Sequence, residues 1–369
     1  MGKILIKRVV FISDHYRSRQ ERNVKILFGL ISPVFMDADI EVIILPNTAQ
    51  YLDEKKWTKS LDGVGNSVLA DVDLKDTAVI GFEINPIDRL HLNEKKIPWI
   101  NIEIHPIRFL EDLYFSVTSS FPFDFNQLSC SEKHIHLTAN YLKLKNLERK
   151  FDIESNTLLI IGQTPADKSV YFDGEFKSLL SYIDKLEVLS EKHDAVYYRP
   201  HPVESDVHTD KEIVKKFNAS ILSDMNYYDL LAADQLKTVC GISSSSMHEA
   251  KYFHKEVVFL EERIKSFTRP VSLRSLLECN ELWFDGLLSI DSKGLSGESF
   301  TLPDNTCRDI FGYWSYRTPF DTINDKIKEI VQIVNESEAK AEEAYNALNS
   351  ISWKITEPLR ELKAFMQKK

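Results

Sequence analysis

The sequence has no long apolar run and no pattern typical of a targeting segment. No stretch reaches the roughly 18 consecutive apolar residues that a membrane-spanning helix requires. The N-terminal residues MGKILIKRVVFISDHYRSRQ are interrupted by Lys7 and Arg8 and contain no small-residue cleavage site, so they predict a first strand and not a signal peptide. We therefore expect a soluble or membrane-peripheral protein.

Cysteine, glycine and proline are also scarce. The four cysteines include no C-x-x-C pair, which excludes a zinc ribbon and a disulfide scaffold and indicates a reducing compartment. They are Cys130, Cys240, Cys279 and Cys307. The 12 Gly and 13 Pro exclude collagen-like and linker-dominated sequence.

There is no excess of basic residues. The chain carries 46 Lys and Arg against 56 Asp and Glu, a net charge of -10, which argues against a general nucleic-acid binder. The 43% apolar and 11% aromatic residues suffice for hydrophobic cores and exclude a disordered chain. At about 150 residues per domain, a chain of 369 residues indicates two domains.

Strand-like apolar runs alternate with helical patterns, which predicts an α/β fold with parallel sheets. In the first half these runs are 9–12, 40–45, 78–82, 99–104 and 114–117, followed by a helical stretch at 125–149. In the second half the predicted strands are 157–161, 195–198, 220–222, 238–241 and 257–260, and the predicted helices are 175–192, 211–217, 227–233 and 245–253. We therefore predict two Rossmann-like domains, residues 1–150 and 151–325, with ligands at the carboxyl ends of the strands.

The segment 326–369 differs in kind from the two predicted domains. Residues 326–348 form a long amphipathic helical pattern, and SISWKITEPLRELKAFMQKK places Trp, Leu and Phe beside Lys and Arg. This C-terminal tail predicts either a helix that packs on or trails from the domains, or a segment that docks on a membrane surface or a partner.

Polar residues follow the predicted strands of the second half, where doubly wound folds place function. The first such loop, IIGQTPADKS, contains Gln163, Asp167, Lys168 and Ser169. Asp167 is a candidate nucleophile or general base that Lys168 would keep ionised. The alternative for Asp167 is a helix N-cap or an Asx-turn.

Two further strand exits carry candidate residues. In VYYRPHP, an imidazole at His201 between two prolines suits donation to a phosphate or leaving group, and a structural turn is the alternative. Arg199 and Pro202 flank it. In VCGISSSSMHEA, the hydroxyls of Ser243, Ser244, Ser245 and Ser246 and the N–H groups of an opening helix would converge on an anion such as phosphate, unless they only cap the helix.

One candidate lies in the first half, in WINIEIHPIRF, where Glu103, His105 and Arg108 end a strand. Apolar neighbours would raise the pKa of Glu103 toward the range useful to a general base. The alternative is a solvent-facing strand residue.

At these places the sequence resembles the bacterial retaining β-Kdo glycosyltransferases of capsule and lipopolysaccharide O-antigen synthesis. The resemblance depends on G-Q-x-x-x-D-x-S at 162–169, the H-P pair at 201–202 and the Ser cluster at 243–246, in that order. H-P and S-S motifs also occur in polysialyltransferases and CDP-glycerol-type polymerases, so the G-Q-x-x-x-D loop favours Kdo. The resemblance implies a GT-B-type arrangement of the two domains and CMP-β-Kdo as the donor, with no cofactor.

The resemblance also implies a role for each matched residue. Asp167 would attack the anomeric carbon of Kdo and form a covalent adduct that the acceptor hydroxyl displaces, which gives net retention. His201 would stabilise the departing CMP phosphate, which the serines at 243–246 would bind. Arg199 or Lys168 would pair with the Kdo carboxylate.

On the acceptor side, Glu103 would match an acidic residue of the family's N-terminal domain. The match is incomplete, because capsular members read E-D-G-F where this chain has E-I-H-P at 103–106. No metal is expected, since the D-x-D pattern at 37–39 precedes a strand instead of following one.

The resemblance further implies an oligosaccharide or lipid-linked glycan as acceptor, and a place in the cytoplasm or at the surface of the inner membrane. A membrane-surface or polysaccharide-assembly partner would bind through the tail. Two rivals stay open: a CMP-sialic acid or CDP-glycerol transferase on the same fold, and a non-catalytic scaffold.

Overall fold

The computed structural model describes residues 6–17, 20–45, 54–201, 206–222, 225–263, 265–293 and 299–312, and parts of 330–363. The chain divides into two compact units, Met1–Ser315 and Tyr316–Lys369. Both large sheets lie in the first unit. The domain boundaries expected after residues 150 and 325 stay predictions.

Five strands form the first sheet: β1 Arg8–Ser13, β2 Glu41–Ile44, β3 Thr77–Phe82, β4 Trp99–Ile104 and β5 Phe115–Ser119. Their order is β2-β1-β3-β4-β5, with β1 to β4 parallel and β5 antiparallel to β4. The sequences RVVFIS and TAVIGF of β1 and β3 are almost fully buried, as parallel strands covered on both faces require.

Three helices accompany this sheet: α1 Gln20–Ile31, α2 Glu54–Leu61 and α3 Pro86–Glu94. A fourth helix, α4 Glu132–Lys145, packs instead against the helix at Tyr227–Ala232 and the 3-10 turn at Lys251–Phe253. The helix predicted at 125–149 is shorter than expected. Residues 125–128 form a separate 3-10 turn, and Ser131 then caps α4 by accepting the N–H of His134. The last helical residue is Lys145, before the C-cap Asn146.

The second sheet has the order β10-β9-β6-β11-β12, and all its strands are parallel. These strands are β6 Thr157–Ile161, β9 Ala195–Arg199, β10 Ser220–Ile221, β11 Leu236–Gly241 and β12 Glu256–Phe259, and the hairpin β7 Tyr171–Phe172 and β8 Glu175–Phe176 stands apart. Counted from β6, the order is 3-2-1-4-5, which is that of a Rossmann sheet. The predicted α/β class with parallel sheets is confirmed.

The helix predicted at 175–192 is wrong in its first part. Asp173 and Gly174 have φ values of 54° and 79°, so they form the tight turn of the β7–β8 hairpin. The α-helix begins only at Ile183 and ends at Ser190. A D-G pair that demands positive φ outweighs the apolar spacing that predicted a helix.

The other α-helices among the described residues of the first unit are α5 Ile183–Ser190, α6 Val207–Phe217, α7 Tyr227–Ala232, α8 Ser245–Ala250, α9 Leu273–Leu277 and α10 Thr306–Phe311, with a π-helical segment at Glu281–Leu288. The elements after β12 share the core of the first sheet, although they follow the second sheet in sequence. For example, the rings of Phe311 and Phe82 stack at 5.9 Å.

In the second unit, residues 330, 333–334, 336–343 and 345–346 are helical, and the rest of the helix predicted at 326–348 lies outside the described residues. Among the described residues, no helix has the length and apolar character needed to cross a membrane.

Candidate functional site

The strand order of the second sheet brings the three motif loops to one edge. The order reverses between β6 and β11, and at such a reversal an open α/β sheet forms a crevice for ligands. The loops that leave β6 and β11 carry residues 162–169 and 243–246. β9 is the other neighbour of β6, and its exit carries Arg199 and His201.

Gln163 joins the loop after β6 to the loop after β11 through hydrogen bonds. Its Oε1 accepts the backbone N–H of Ser243 at 2.9 Å, and its Nε2 donates to the Ser243 hydroxyl at 3.3 Å. The Ser243 hydroxyl in turn donates to the backbone carbonyl of Ser169. Gln163, Ser169 and Ser243 therefore form the frame that holds the two loops together.

Gly162 brings the loop after β9 against the same frame. A Cβ atom at this position would lie 2.5 Å from the hydroxyl of Tyr198 and 3.2 Å from the backbone nitrogen of His201. No side chain fits there without displacing one of them, so the glycine permits this close approach. His201 is half-buried, and its neighbour Pro202 lies outside the described residues.

Asp167 adopts the N-cap geometry that the sequence left as one alternative. Its Oδ1 accepts the backbone N–H of Ser169 at 2.8 Å and so begins a 3-10 turn over Lys168–Val170. The carboxylate is half-buried. Because the cap fixes the rotamer of the carboxyl group through one oxygen, this geometry also suits a positioned nucleophile.

Lys168 has a different partner from the one that the sequence suggested. Its Nζ lies 2.6 Å from Oε2 of Glu83, which directly follows β3 of the first sheet. The same carboxylate accepts from Arg17 at 2.5 Å. Burial alone would raise the pKa of Glu83, but the two cations hold it well below its usual range.

Arg17 connects this ion pair to the exit of β1. Its Nε donates to Asp14 at 3.0 Å, and its guanidinium lies over the ring of Trp57 at 5.6 Å. Burial opposes its charge, but Glu83, Asp14 and Asp167 together raise its pKa, which places the Asp167 carboxylate within electrostatic reach. Sequence reasoning missed Arg17 and Glu83, although polar residues in FISDHYR and GFEINP at the strand exits signalled them.

Glu103 is buried and ionised, contrary to the prediction of a raised pKa. Its side chain pairs with Lys265, lies 3.7 Å from Arg89 and accepts from the Asn101 amide at 3.0 Å. Burial would raise its pKa, but Lys168 and Lys265 lower it. The prediction was wrong because the neighbours that decide the charge come from distant segments. The solvent-facing alternative is wrong too, since only 6% of the residue is exposed.

His105 holds the backbone in place. Its Nε2 donates to the carbonyl of Thr268 at 3.0 Å, and its Nδ1 accepts the N–H of Ile107 at 3.1 Å. Burial lowers its pKa to about 3, so the ring is neutral at physiological pH. The next candidate, Arg108, donates its backbone N–H to the buried carboxylate of Glu249 at 2.6 Å.

Arg199 supports the loop beyond β10. Its Nη1 donates to the carbonyls of Leu222 at 2.8 Å and Met225 at 2.6 Å. Burial lowers the pKa of this guanidinium. Its expected contact with a sugar carboxylate stays a prediction.

The serines at 244–246 lie at the start of α8. Ser244 occupies the N-cap position but makes no capping hydrogen bond through its side chain, and all three residues are half-buried. The alternative for this cluster was that the serines only cap the helix. The Ser244 hydroxyl does not cap α8. Within the described part of the chain, no three His, Cys, Asp or Glu side chains are grouped to hold a metal ion.

Comparison with known proteins finds no matching family model and no matching curated protein. Among solved structures, the chain is similar to KpsC of Thermosulfurimonas dismutans, described as a beta Kdo 2,7 transferase, with 14% identity over 73% of this chain and 88% of that chain and a TM-score of 0.37. The beta Kdo 2,4 transferase of the same KpsC gives 14% identity, 74% and 89% coverage and a TM-score of 0.36. The structure of S. aureus MnaA with UDP is also similar, with 10% identity over 84% of this chain and 87% of that chain and a TM-score of 0.28. At these scores the likeness establishes neither family nor function.

Proposed function

We propose that the protein is a retaining glycosyltransferase that moves Kdo from CMP-β-Kdo to a saccharide acceptor. The observation that carries the proposal is the contact between Gln163 and Ser243, which joins the Asp167 loop to the Ser cluster at the reversal of the second sheet. The motif resemblance supplies the sugar and the nucleotide. In this proposal the two sheets belong to the two domains of a GT-B-type arrangement.

The donor would lie along the edge of the second sheet. The phosphate of CMP binds at the start of α8, at Ser244 to Ser246, and His201 donates to it as negative charge develops. An acidic sugar needs cations nearby, and both Lys168 and Arg17 lie on the Asp167 side of the site. Their shared carboxylate, Glu83, fixes their positions.

The reaction proceeds by two displacements. A carboxylate oxygen of Asp167 bonds to the anomeric carbon, and the bond from that carbon to the CMP phosphate oxygen breaks with its electron pair. The acceptor hydroxyl oxygen then attacks the same carbon, its proton leaves to a base, and the ester to Asp167 breaks. Two inversions give retention. Glu103, which Lys265 keeps ionised, is the acceptor-side carboxylate of this proposal.

A donor panel tests the proposal. CMP-Kdo, CMP-sialic acid and CDP-glycerol are each assayed for hydrolysis and for transfer. We expect turnover of CMP-Kdo alone. Turnover of another donor would identify one of the rival transferases, and binding without turnover of any donor would support the scaffold.

A structure with CMP tests the placement of the donor. We expect the phosphate at the start of α8, within hydrogen-bonding reach of His201. A nucleotide held mainly by residues of the first sheet would overturn the assignment.

A further inference from the structure

Helix α4 presents an apolar stripe to solvent. Leu137, Tyr141 and Leu144 lie four and three residues apart, within an arc of about 60° on the helix. They are 67%, 52% and 64% exposed. Leu147, just beyond the helix, is 76% exposed. The opposite face of α4 is buried through Ile135, Ala139 and Leu142.

Basic residues border this stripe. Residues 132–150 contain five Lys or Arg and two Glu, in a chain whose net charge is -10. Lys133 and Lys145 lie on either side of the stripe, about 40° and 80° from Leu137 around the helix. The ammonium of Lys145 lies 5.8 Å from the ring centre of Tyr141. The local charge is therefore opposite in sign to that of the whole protein.

Three further lysines, Lys143, Lys237 and Lys255, lie on or beside α4. Burial lowers the pKa of Lys255 to about 8, and the charges of Lys143 on α4 and Lys237 lower it further, against the attraction of Asp234. The Lys255 ammonium donates to the carbonyl of Ala233 at 2.7 Å. Lys143 and Lys237 therefore both lie within electrostatic reach of Lys255, which adds positive charge beside the stripe.

We propose that this surface, made of Leu137, Tyr141 and Leu144 with Lys133 and Lys145, docks the protein on an anionic phospholipid bilayer. A helix with an apolar face and flanking Lys lies in the interface of such a bilayer, with aliphatic groups among the acyl chains and ammonium groups at the phosphates. Nucleic acid would use the charges but not the three adjacent apolar side chains. A twofold dimer would bring the same Lys residues against each other.

Vesicle co-sedimentation of the full chain tests the inference. Vesicles of phosphatidylethanolamine and phosphatidylglycerol are compared with vesicles of phosphatidylcholine alone, at low salt and at about 0.5 M NaCl. We expect binding to the anionic vesicles and a loss of that binding at high salt. Leu137→Ser with Leu144→Ser, and separately Lys133→Glu with Lys145→Glu, should each reduce the bound fraction about tenfold.

Matched variants on other exposed helix faces serve as controls. Leu90→Ser with Val188→Ser removes two exposed apolar side chains, and Lys211→Glu with Lys215→Glu reverses two charges on α6. Both should bind anionic vesicles like the wild type. Equal losses in the controls, equal binding to phosphatidylcholine, or no binding to any vesicle would overturn the proposal. The proposal would also be overturned if the protein bound no vesicles and light scattering gave a dimer mass for the wild type but a monomer mass for the Leu137→Ser/Leu144→Ser variant. The stripe would then be a dimer contact.

Discussion

The ammonium of Lys168 lies 2.6 Å from the carboxylate of Glu83, although the two residues leave strands of different sheets. Lys168 is adjacent to Asp167 in sequence, and Glu83 directly follows β3. Glu83 has a positive φ of 55°, a conformation that costs energy for a long side chain and that occurs often at functional sites. The pair therefore joins the exit of β3 to the loop that carries the candidate nucleophile.

Glu83→Gln should lower the free energy of unfolding by about 2–4 kcal/mol at pH 7, because Arg17 and Lys168 lose their shared carboxylate. The pKa of Glu83 is lowered from 4.5 in the folded state, so its stabilisation is present above about pH 4.5 and is lost as the pH falls toward the folded value. The difference between variant and wild type should therefore shrink at about pH 3. Urea unfolding at both pH values measures it.

The control for this prediction is Glu41→Gln, which breaks an exposed pair with Arg8. It should change the free energy of unfolding by less than about 0.5 kcal/mol. A similar small effect of Glu83→Gln would contradict the assignment of a structural role to the Glu83 pair.

Glu249→Gln should flatten the pH dependence of stability. Burial raises the pKa of Glu249 from 4.5 to about 7, so the protonated form is favoured in the folded protein. Its contribution is fully present below pH 4.5 and is lost as the pH rises through about 7, a change on the order of 3 kcal/mol in the free energy of unfolding. Gln stays uncharged and still accepts from Arg108 and Tyr228. Exposed Glu212→Gln is the control, and an unchanged slope in Glu249→Gln would count against the prediction.

Gly162→Ala should displace the His201 loop. The new Cβ would lie 2.5 Å from the Tyr198 hydroxyl, which is fixed by its hydrogen bond to Asp210. We expect a loss of about 1–3 kcal/mol in the free energy of unfolding and weaker binding of CMP, measured by calorimetry. Gly29→Ala is the control: Gly29 lies in α1, and a Cβ added there would meet no atom within 4 Å outside the backbone of its own helix, so the substitution should stabilise the helix by up to about 1 kcal/mol. Unchanged CMP binding in Gly162→Ala would indicate that His201 does not belong to the nucleotide site.

His201→Ala should lower the turnover number by roughly 100-fold or more, the effect of losing a positioned donor to a developing charge. A half-buried loop residue contributes little to the core, so the thermal unfolding temperature should stay close to that of the wild type. His208→Ala, at an exposed position on α6, is the control for both measurements. Near wild-type turnover in His201→Ala would make His201 a structural turn residue.

Asp167→Asn should abolish transfer while the affinity for CMP stays within a few fold, because the amide oxygen still caps the turn at Ser169 but cannot attack. Wild-type protein incubated with CMP-Kdo and no acceptor should gain the mass of one Kdo residue, located by digestion on the peptide that contains Asp167. Exposed Asp184→Asn is the control. An adduct on another carboxylate, or an active Asp167→Asn, would remove the double displacement and leave the fold unaffected.

The sequence by itself determined the strands and the loops of interest. Buried parallel strands are continuous apolar runs, and their carboxyl ends share one edge of a sheet, so polar residues that follow three such runs are predicted to lie together. The contacts of Gln163 with Ser243 and of Gly162 with the His201 backbone agree with that placement. The D-G pair at 173–174 is an equally plain turn signal in the sequence, but the apolar spacing after it favours a helix and so predicts the wrong element there.

Only the tertiary structure decided the charges and partners of the site. Lys265 reaches Glu103 across 162 residues of sequence, and Glu83 reaches Lys168 across 85. Each contact joins a residue at the carboxyl end of a strand of the first sheet to a loop that follows a strand of the second sheet. Local sequence patterns do not indicate which distant segments come together in this way. A pKa depends on the charges within a few ångströms in space, so the ionised state of buried Glu103 followed from the fold and not from its apolar neighbours in sequence.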